Sequence, residues 1–298
     1  MFYLDGKSKI EIAEEFGISR FKVARRLETA LQDGLVRLEI HLPAELDAER
    51  SEALRVRYGL SHAVVFKSAH EDPDDPGLST RRLGVVTAGL LAEIVTEGDV
   101  LGLIWGPEID ALGRELTALA RCTVIQLCGV TPLRPVNADT VGAVLRAAAI
   151  GGGAAYPVYA PLLLPDSATV RMLREKPGVI EAVSQYGRVT KAVITVGVWG
   201  PRLSSVYEAL SESEREEYER QGVCAEVCGY LLDAEGRSIA PELTERMIAV
   251  TFEELRRIPE VILLADGVER ATATSAALKT GLFNGIVANS GIAERLLE

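Results

Sequence analysis

From residue 100 onward, continuous apolar runs alternate with helical patterns. Val100-Leu101-Gly102-Leu103-Ile104-Trp105 stops at Gly106-Pro107, and Thr123-Val124-Ile125-Gln126-Leu127-Cys128 stops at Gly129. Residues 192–196 stop at Gly197, residues 261–265 at Asp266-Gly267, and residues 286–288 at Asn289-Ser290. A strand that is apolar at every position is buried on both faces. Repeated strand–turn–helix units therefore predict a mostly parallel sheet covered by helices. Ligands of such sheets bind outside the carboxyl ends of the strands, so these turns are the candidate site.

The first forty residues have a helical period instead. Ser8 with Glu11 three positions later is a capping box, and Ile12, Ala13 and Phe16 follow at helical spacing. Gly17 ends that helix, because glycine takes the left-handed conformation without steric cost. Ile18 turns inward, and Ser19 caps a second helix through Leu31 with Val23, Leu27 and Leu31 as its buried stripe. Arg20, Lys22, Arg25 and Arg26 are left facing outward. A short helix, a glycine turn and a second helix basic near its start form the helix-turn-helix layout, whose second helix enters the major groove. The alternative is a solvated basic helix in any α-helical domain. Residues 33–40, a turn at Asp33-Gly34 followed by period-two alternation, favour a winged reader of DNA. Only seven residues precede Ser8. The helix that a three-helix reader needs there is either cut short or encoded upstream.

Residues 43–58, with Leu46, Ala53 and Leu54, form an amphipathic helix read as a connector that contributes to pairing of two subunits. The expected division is a reader over 1–42, a linker helix over 43–58 and a ligand-binding domain over 59–298. A chain of 298 residues accommodates one small and one large domain.

The net charge of −11 sits badly with DNA binding until its distribution is considered. Residues 1–57 carry ten basic and eleven acidic side chains, so nearly all the acidic excess lies beyond them. Residues 19–27 hold four basic residues and no acid. An acidic body with one short basic helix suits a protein that binds a single DNA site rather than coating it. No basic–apolar–small leader pattern opens the chain, and the apolar stretches break well before the ~18 residues of a membrane span.

Little points to catalysis or to a cofactor. His41, His62 and His70 all precede the expected sheet, away from the strand ends where a catalytic base would stand. Gly151-Gly152-Gly153 lacks the spacing of a nucleotide cradle. Cys224 and Cys228 have no second pair to complete a zinc site, and all four cysteines, with Cys122 and Cys128, read as reduced core residues of a cytoplasmic protein. Glu108, Glu226 and Asp266 are read as turn or ligand-binding carboxylates before they are read as catalysts.

At this point the whole chain resembles the SorC/DeoR-type sugar-binding transcriptional regulators. The resemblance is carried by Gly17-Ile18-Ser19-Arg20 and Gly34-Leu35-Val36 in the reader. In the large domain it rests on 102–106, 124–129, Tyr159-Ala160-Pro161-Leu162, Val196-Gly197-Val198-Trp199, 222–229 and 276–281. It implies a Rossmann-like effector domain related to sugar-phosphate isomerases but not catalytic. It further implies a homo-oligomer, dimer or tetramer, whose operator binding responds to a sugar, polyol or sugar phosphate. The expected DNA contacts are Ser19, Arg20, Lys22, Arg25 and Arg26. The expected effector contacts lie in the turns Trp105, Gly106, Pro107 and Glu108; Cys128, Gly129, Val130 and Thr131; and Trp199, Glu226, Asp266, Gly267, Arg270 and Asn289. Trp199 either stacks on a sugar ring or belongs to the core.

The departures from the family pattern are informative. Pro107-Glu108 stands where the family has a phosphate-holding Arg-Thr or Gly-Thr pair, Arg270 where it has a lysine, Ala288-Asn289 where it has Thr-Asp, and Glu226 takes the place of its sugar-binding aspartate. Pro107 lacks a backbone donor and Glu108 repels phosphate, so an uncharged or weakly charged sugar or polyol is expected rather than a sugar phosphate. Arg26 replaces an apolar residue, and either contacts DNA phosphate or snorkels from a partly buried position, the second being favoured. The alternatives are a sugar-phosphate isomerase- or deaminase-like enzyme with an accessory N-terminal domain, and a regulator that has lost DNA binding.

Overall fold

The computed structural model describes residues 7–32, 45–67, 77–131 and 141–298. The chain divides into two compact units, Met1–Pro43 and Ala44–Glu298.

The small unit has two described helices, α1 (Lys9–Glu15) and α2 (Arg20–Gln32). The capping box at Ser8 is formed: its hydroxyl accepts from the Glu11 amide at 3.2 Å, and the Glu11 carboxylate accepts from the Ser8 amide at 2.7 Å. Gly17 adopts φ +59°, and the chain is pinned beyond it by the Ile18 amide donating to the Ala13 carbonyl at 3.0 Å. Ile12, Ala13 and Val23 form a small core against which Ile18 and Leu27 pack. The expected wing over 33–40, the segment before Lys7 and the side chain of Leu31 lie outside the described residues, as do His41 and His70.

The large unit is built on a seven-stranded sheet. In chain order its strands are β1 (His62–Phe66), β2 (Val100–Leu103), β3 (Thr123–Gln126), β4 (Ala155–Tyr156) and β5 (Lys191–Thr195). Four short strands follow: β6 (Gly197–Val198), β7 (Ala225–Val227), β8 (Tyr230–Leu232) and β9 (Ser238–Ile239). The large sheet is completed by β10 (Glu260–Ala265) and β11 (Gly285–Asn289), giving the order β1-β11-β10-β5-β2-β3-β4. Every pairing in it is parallel, with Leu101 beside Val124 on one flank and Lys191 on the other. Strands β6–β9 form a separate antiparallel sheet that leaves the large one directly after β5. Its β7–β8 hairpin turns on Cys228 (φ +51°) and Gly229 (φ +91°), the two positive φ angles that a tight two-residue turn demands.

One sequence expectation needs correction. His62 does not precede the sheet; it opens β1, at the amino edge. There it reaches across Gly285, which has no side chain, to Glu260 at 2.6 Å. Lys191 continues the row, 2.7 Å from Glu260 and 3.7 Å from Asp99. The segment expected to connect the domains is described from Glu45 onward. Its helix α3 (Ala48–Tyr58) is a packed element of the large unit. Leu54 is fully buried, and Tyr58 donates to the carbonyl of Leu296 at 3.3 Å.

Helices α4 (Leu78–Ile94), α5 (Pro107–Glu115) and α6 (Gly142–Gly151) pack at glycine crossings. A Cβ on Gly84 would stand 2.7 Å from the backbone of Ala111, and one on Gly113 2.8 Å from Ala143. In an open helix, Gly→Ala is stabilising by about 0.5–1 kcal/mol. At Gly84 the clash with rigid backbone reverses the sign. Gly84→Ala is expected to destabilise the large unit by about 1–3 kcal/mol in urea unfolding, the range of overpacked cores.

Away from the sheet, the helix Glu212–Arg220 is tied down by Glu214. Its carboxyl is held at a pKa of about 2, first by the Ser211 hydroxyl at 2.6 Å and then by Arg246 at 2.7 Å. A depressed carboxylate pKa adds stability that is present above the ordinary glutamate value of 4.5 and disappears as pH falls towards 2. Glu214→Gln should therefore lower the Tm at pH 7, with the gap to the parent protein closing between pH 4.5 and pH 2. A gap independent of pH would show that the carboxylate's charge contributes nothing.

Candidate ligand cavity and basic helix

The strand order reverses at one place. From β2 the chain moves outward through β3 and β4, then returns to lay β5 on the other side of β2 and proceeds through β10 to β11. Outside the carboxyl ends of β2 and β5, where such sheets hold their ligands, lies a cavity of about 300 Å³.

Each strand end supplies part of the wall. After β2 come Trp105, Gly106, Pro107 and Glu108, the last two in the first turn of α5. The Trp105 indole donates to the Gly129 carbonyl at 2.9 Å, which fixes the ring against the turn after β3. In that turn Cys128 lines the cavity, and its carbonyl accepts from the buried Gln126 amide at 2.9 Å. Burial pushes the Cys128 thiol up to about 12 and that of Cys228, also in the wall, well above its ordinary value. At neutral pH both are protonated, weakly polar lining rather than nucleophiles.

The charged lining is unequal in sign, with carboxylates at Glu108, Glu208 and Glu226 and guanidinium groups at Arg202 and Arg270. Arg270 stands in the turn after β10, one Nη donating to the Val196 carbonyl at 2.7 Å and the other 3.1 Å from the Glu108 carboxylate. Both are largely withdrawn from water, their side chains 18% and 9% exposed. Glu226, on β7, accepts from the Ser204 hydroxyl, from the Ser205 hydroxyl at 2.7 Å and from the Val206 amide at 3.0 Å. It thereby holds the start of the helix Ser205–Ala209.

Seven of the residues expected at the effector site meet here: Trp105, Gly106, Pro107 and Glu108, with Cys128, Glu226 and Arg270. The other seven lie outside the lining. Gly129 presses its Cα against Pro161, where a Cβ would come within 2.5 Å of the carbonyl oxygen, and Val130 bridges to Pro161. Thr131 is buried. Trp199 stands edge-on to Tyr207 at 5.1 Å and Tyr218 at 6.3 Å, an aromatic cluster. Asp266 accepts from Ser79 at 2.5 Å, Thr80 at 3.2 Å and Asn289 at 2.9 Å, while Asn289 caps the last helix through the Ile292 amide. Gly267, at φ +93°, starts the turn that carries Arg270. Arg202, Ser204, Ser205 and Glu208 were not foreseen. They arrive through the loop after β6, and a strand of two residues leaves no period to read.

In the small unit, Ser19, Arg20, Lys22, Arg25 and Arg26 are all exposed. The Ser19 hydroxyl accepts from the Lys22 amide at 3.3 Å, as a helix cap does. Arg20 lies 4.9 Å over the ring of Phe21. The favoured snorkelling of Arg26 from a partly buried position does not occur, since Leu27 and Val23 take the inward face.

Comparison with known proteins places the chain. The Sugar-bind family, a sugar-binding domain, matches residues 43–298. The uncharacterized transcriptional regulator YjhU of Escherichia coli K12 is 26% identical over 100% of this chain and 92% of its own length. The deoxyribonucleoside regulator of Bacillus subtilis 168 is 29% identical over 100% of this chain and 95% of its own. The crystal structure of the full-length sorbitol operon regulator SorC from Klebsiella pneumoniae superposes with a TM-score of 0.76 at 20% identity, covering 100% of this chain and 96% of that one. With a family match over the entire large unit and regulators aligned from end to end, the chain belongs to the SorC/DeoR-type sugar-binding transcriptional regulators.

Proposed function

We propose that this regulator reads operator DNA through α2 and that a small sugar or polyol bound in the cavity beyond β2 and β5 controls that reading. The observation that carries the proposal is the cavity itself, set at the strand-order reversal of a sugar-binding domain and walled by carboxylates, hydroxyls and a fixed indole. Sugar hydroxyls donate to carboxylates, and the apolar face of a sugar ring rests on aromatic and aliphatic lining. The relatives are transcriptional regulators, and the chain acts as one rather than as an enzyme.

Several finer points belong to this proposal. Residues 1–42 form the reader, a winged helix-turn-helix in which Ser19, Arg20, Lys22, Arg25 and Arg26 face DNA. Their exposure on one helix supports this. Residues 59–298 form the sensor, with α3 as the element that joins it to the reader. The sensor's kinship to sugar-phosphate isomerases is one of fold. The protein works in the cytoplasm as a homo-oligomer, because operators are read by symmetric sets of half-sites.

Two measurements test the proposal. In a mobility-shift assay with the full-length protein and the DNA upstream of its own gene, Arg25→Ala should weaken binding by about 1–3 kcal/mol if it reads a base, or weaken all sequences equally if it touches phosphate. Absence of any shifted complex would favour a regulator that has lost DNA binding. In thermal unfolding against free sugars, polyols and their phosphates, a ligand at ~100 times its Kd should add about 2.7 kcal/mol of stability. The same ligand should change the mobility shift, and a panel that alters neither would defeat the sensor reading.

A further inference from the structure

We infer that Glu108 is a built-in counter-anion for Arg270, which makes the cavity select uncharged polyhydroxylated ligands over their phosphate esters. The inference rests on the cavity being the effector site, and adds the charge class of what enters it.

Arg270 has the position of a phosphate clamp, in the wall of the cavity at a strand end, with its guanidinium mostly out of water. Both of its Nη groups are engaged, while its buried Nε has no partner among the described residues. One Nη is held by the Val196 carbonyl, and the other faces the Glu108 carboxylate. Glu108 sits in the first turn of α5, where the free amides of a helix attract an anion, and Pro107 removes one of those amides. The carboxylate thus occupies the place that a ligand's anionic group would need. It has no easy retreat, since breaking a buried ion pair leaves each charge uncompensated. Glu208 and Glu226 stand in the same wall, so an incoming dianion meets three carboxylates against two guanidinium groups.

A neutral polyol meets the opposite situation. The second oxygen of Glu108 lies beside Gly106 with no hydrogen bond from the described residues, and Glu208 uses one oxygen for the Arg202 amide at 2.6 Å. Hydroxyl groups donate to such oxygens without displacing the ion pair.

The test uses the full-length protein and calorimetric titration with inorganic phosphate, ribose 5-phosphate and ribitol, at matched ionic strength. Glu108→Gln keeps the side-chain volume and removes the charge. It should bind ribose 5-phosphate and inorganic phosphate at least tenfold more tightly than the parent protein, and adding Arg270→Gln should abolish that gain. Parent protein that binds ribose 5-phosphate as tightly as Glu108→Gln, or a folded Glu108→Gln that gains no phosphate affinity, would overturn the inference. If Glu108→Gln does not fold, the parent protein decides alone: saturable stabilisation by millimolar phosphate overturns the inference, and none supports it. A parent response to ribose 5-phosphate that vanishes in Arg270→Gln would keep the cavity as the effector site while refuting its charge selection. A ribitol response untouched by both substitutions would remove the effector from the cavity and overturn both readings.

Discussion

The adjacency of β2 and β5 is the constraint on which the rest of the large unit depends. In an all-parallel sheet every connection must cross over, so all carboxyl ends open toward one side. Between β2 and β5 the connections depart in opposite directions, one towards β3 and the other towards β10, and the layer cannot close. The antiparallel sheet leaves the large one at this point, with only Val196 between β5 and β6. It brings Glu226 and the loop after β6 to the opening, which turns a gap in the helical layer into a walled cavity.

Within that cavity one ion pair serves both structure and selection. Arg270 joins the turn after β10 to the backbone after β5 through Val196, and to the start of α5 after β2 through Glu108. Three strand ends are held together by one guanidinium. A buried pair of this kind is weak evidence for stability, because desolvation offsets much of the attraction. Its influence on a visitor is larger, since any ligand charge must compete with a partner already in place. Glu226 follows the same logic with neutral donors: its three hydrogen bonds fasten the start of the Ser205–Ala209 helix over the opening.

The five central strands were legible because each carries a mostly apolar run closed by a turn, even where it opens on a polar residue such as Lys191 or Glu260. β1 escaped notice because its first three residues are only half-buried, and its opening His62 looks like part of a loop. β4 and the antiparallel strands are two or three residues long, too short to display a period. The site was half legible for a related reason. Reading every strand-end turn as ligand-facing collects Trp105–Glu108 and Arg270, which line the cavity. It also collects Asp266 and Asn289, which face each other between β10 and β11 and satisfy Ser79, Thr80 and a helix cap. Which ends open onto a cavity is set by strand order, and strand order comes from long-range pairing that no local pattern encodes.

The two edges of the sheet show where the polar residues of this unit are at work structurally and where they remain available. At the amino edge His62, Glu260, Lys191 and Asp99 lie in series across the strands, each within reach of a neighbour of complementary character. Asp99 is satisfied further by Thr190 and Thr96, and its carboxyl is held below the ordinary range by those hydrogen bonds against the cost of its burial. Among the described residues, each of these four has an ionic or hydrogen-bonding partner. At the carboxyl edge the cavity gathers more carboxylates than cations, and Glu108 and Glu208 keep oxygens without donors from the described residues. An unequal set of charges is tolerated beside a cavity because a hydroxylated ligand or water can complete it. The imbalance therefore belongs to the binding edge of the sheet, and its sign decides what the edge will accept.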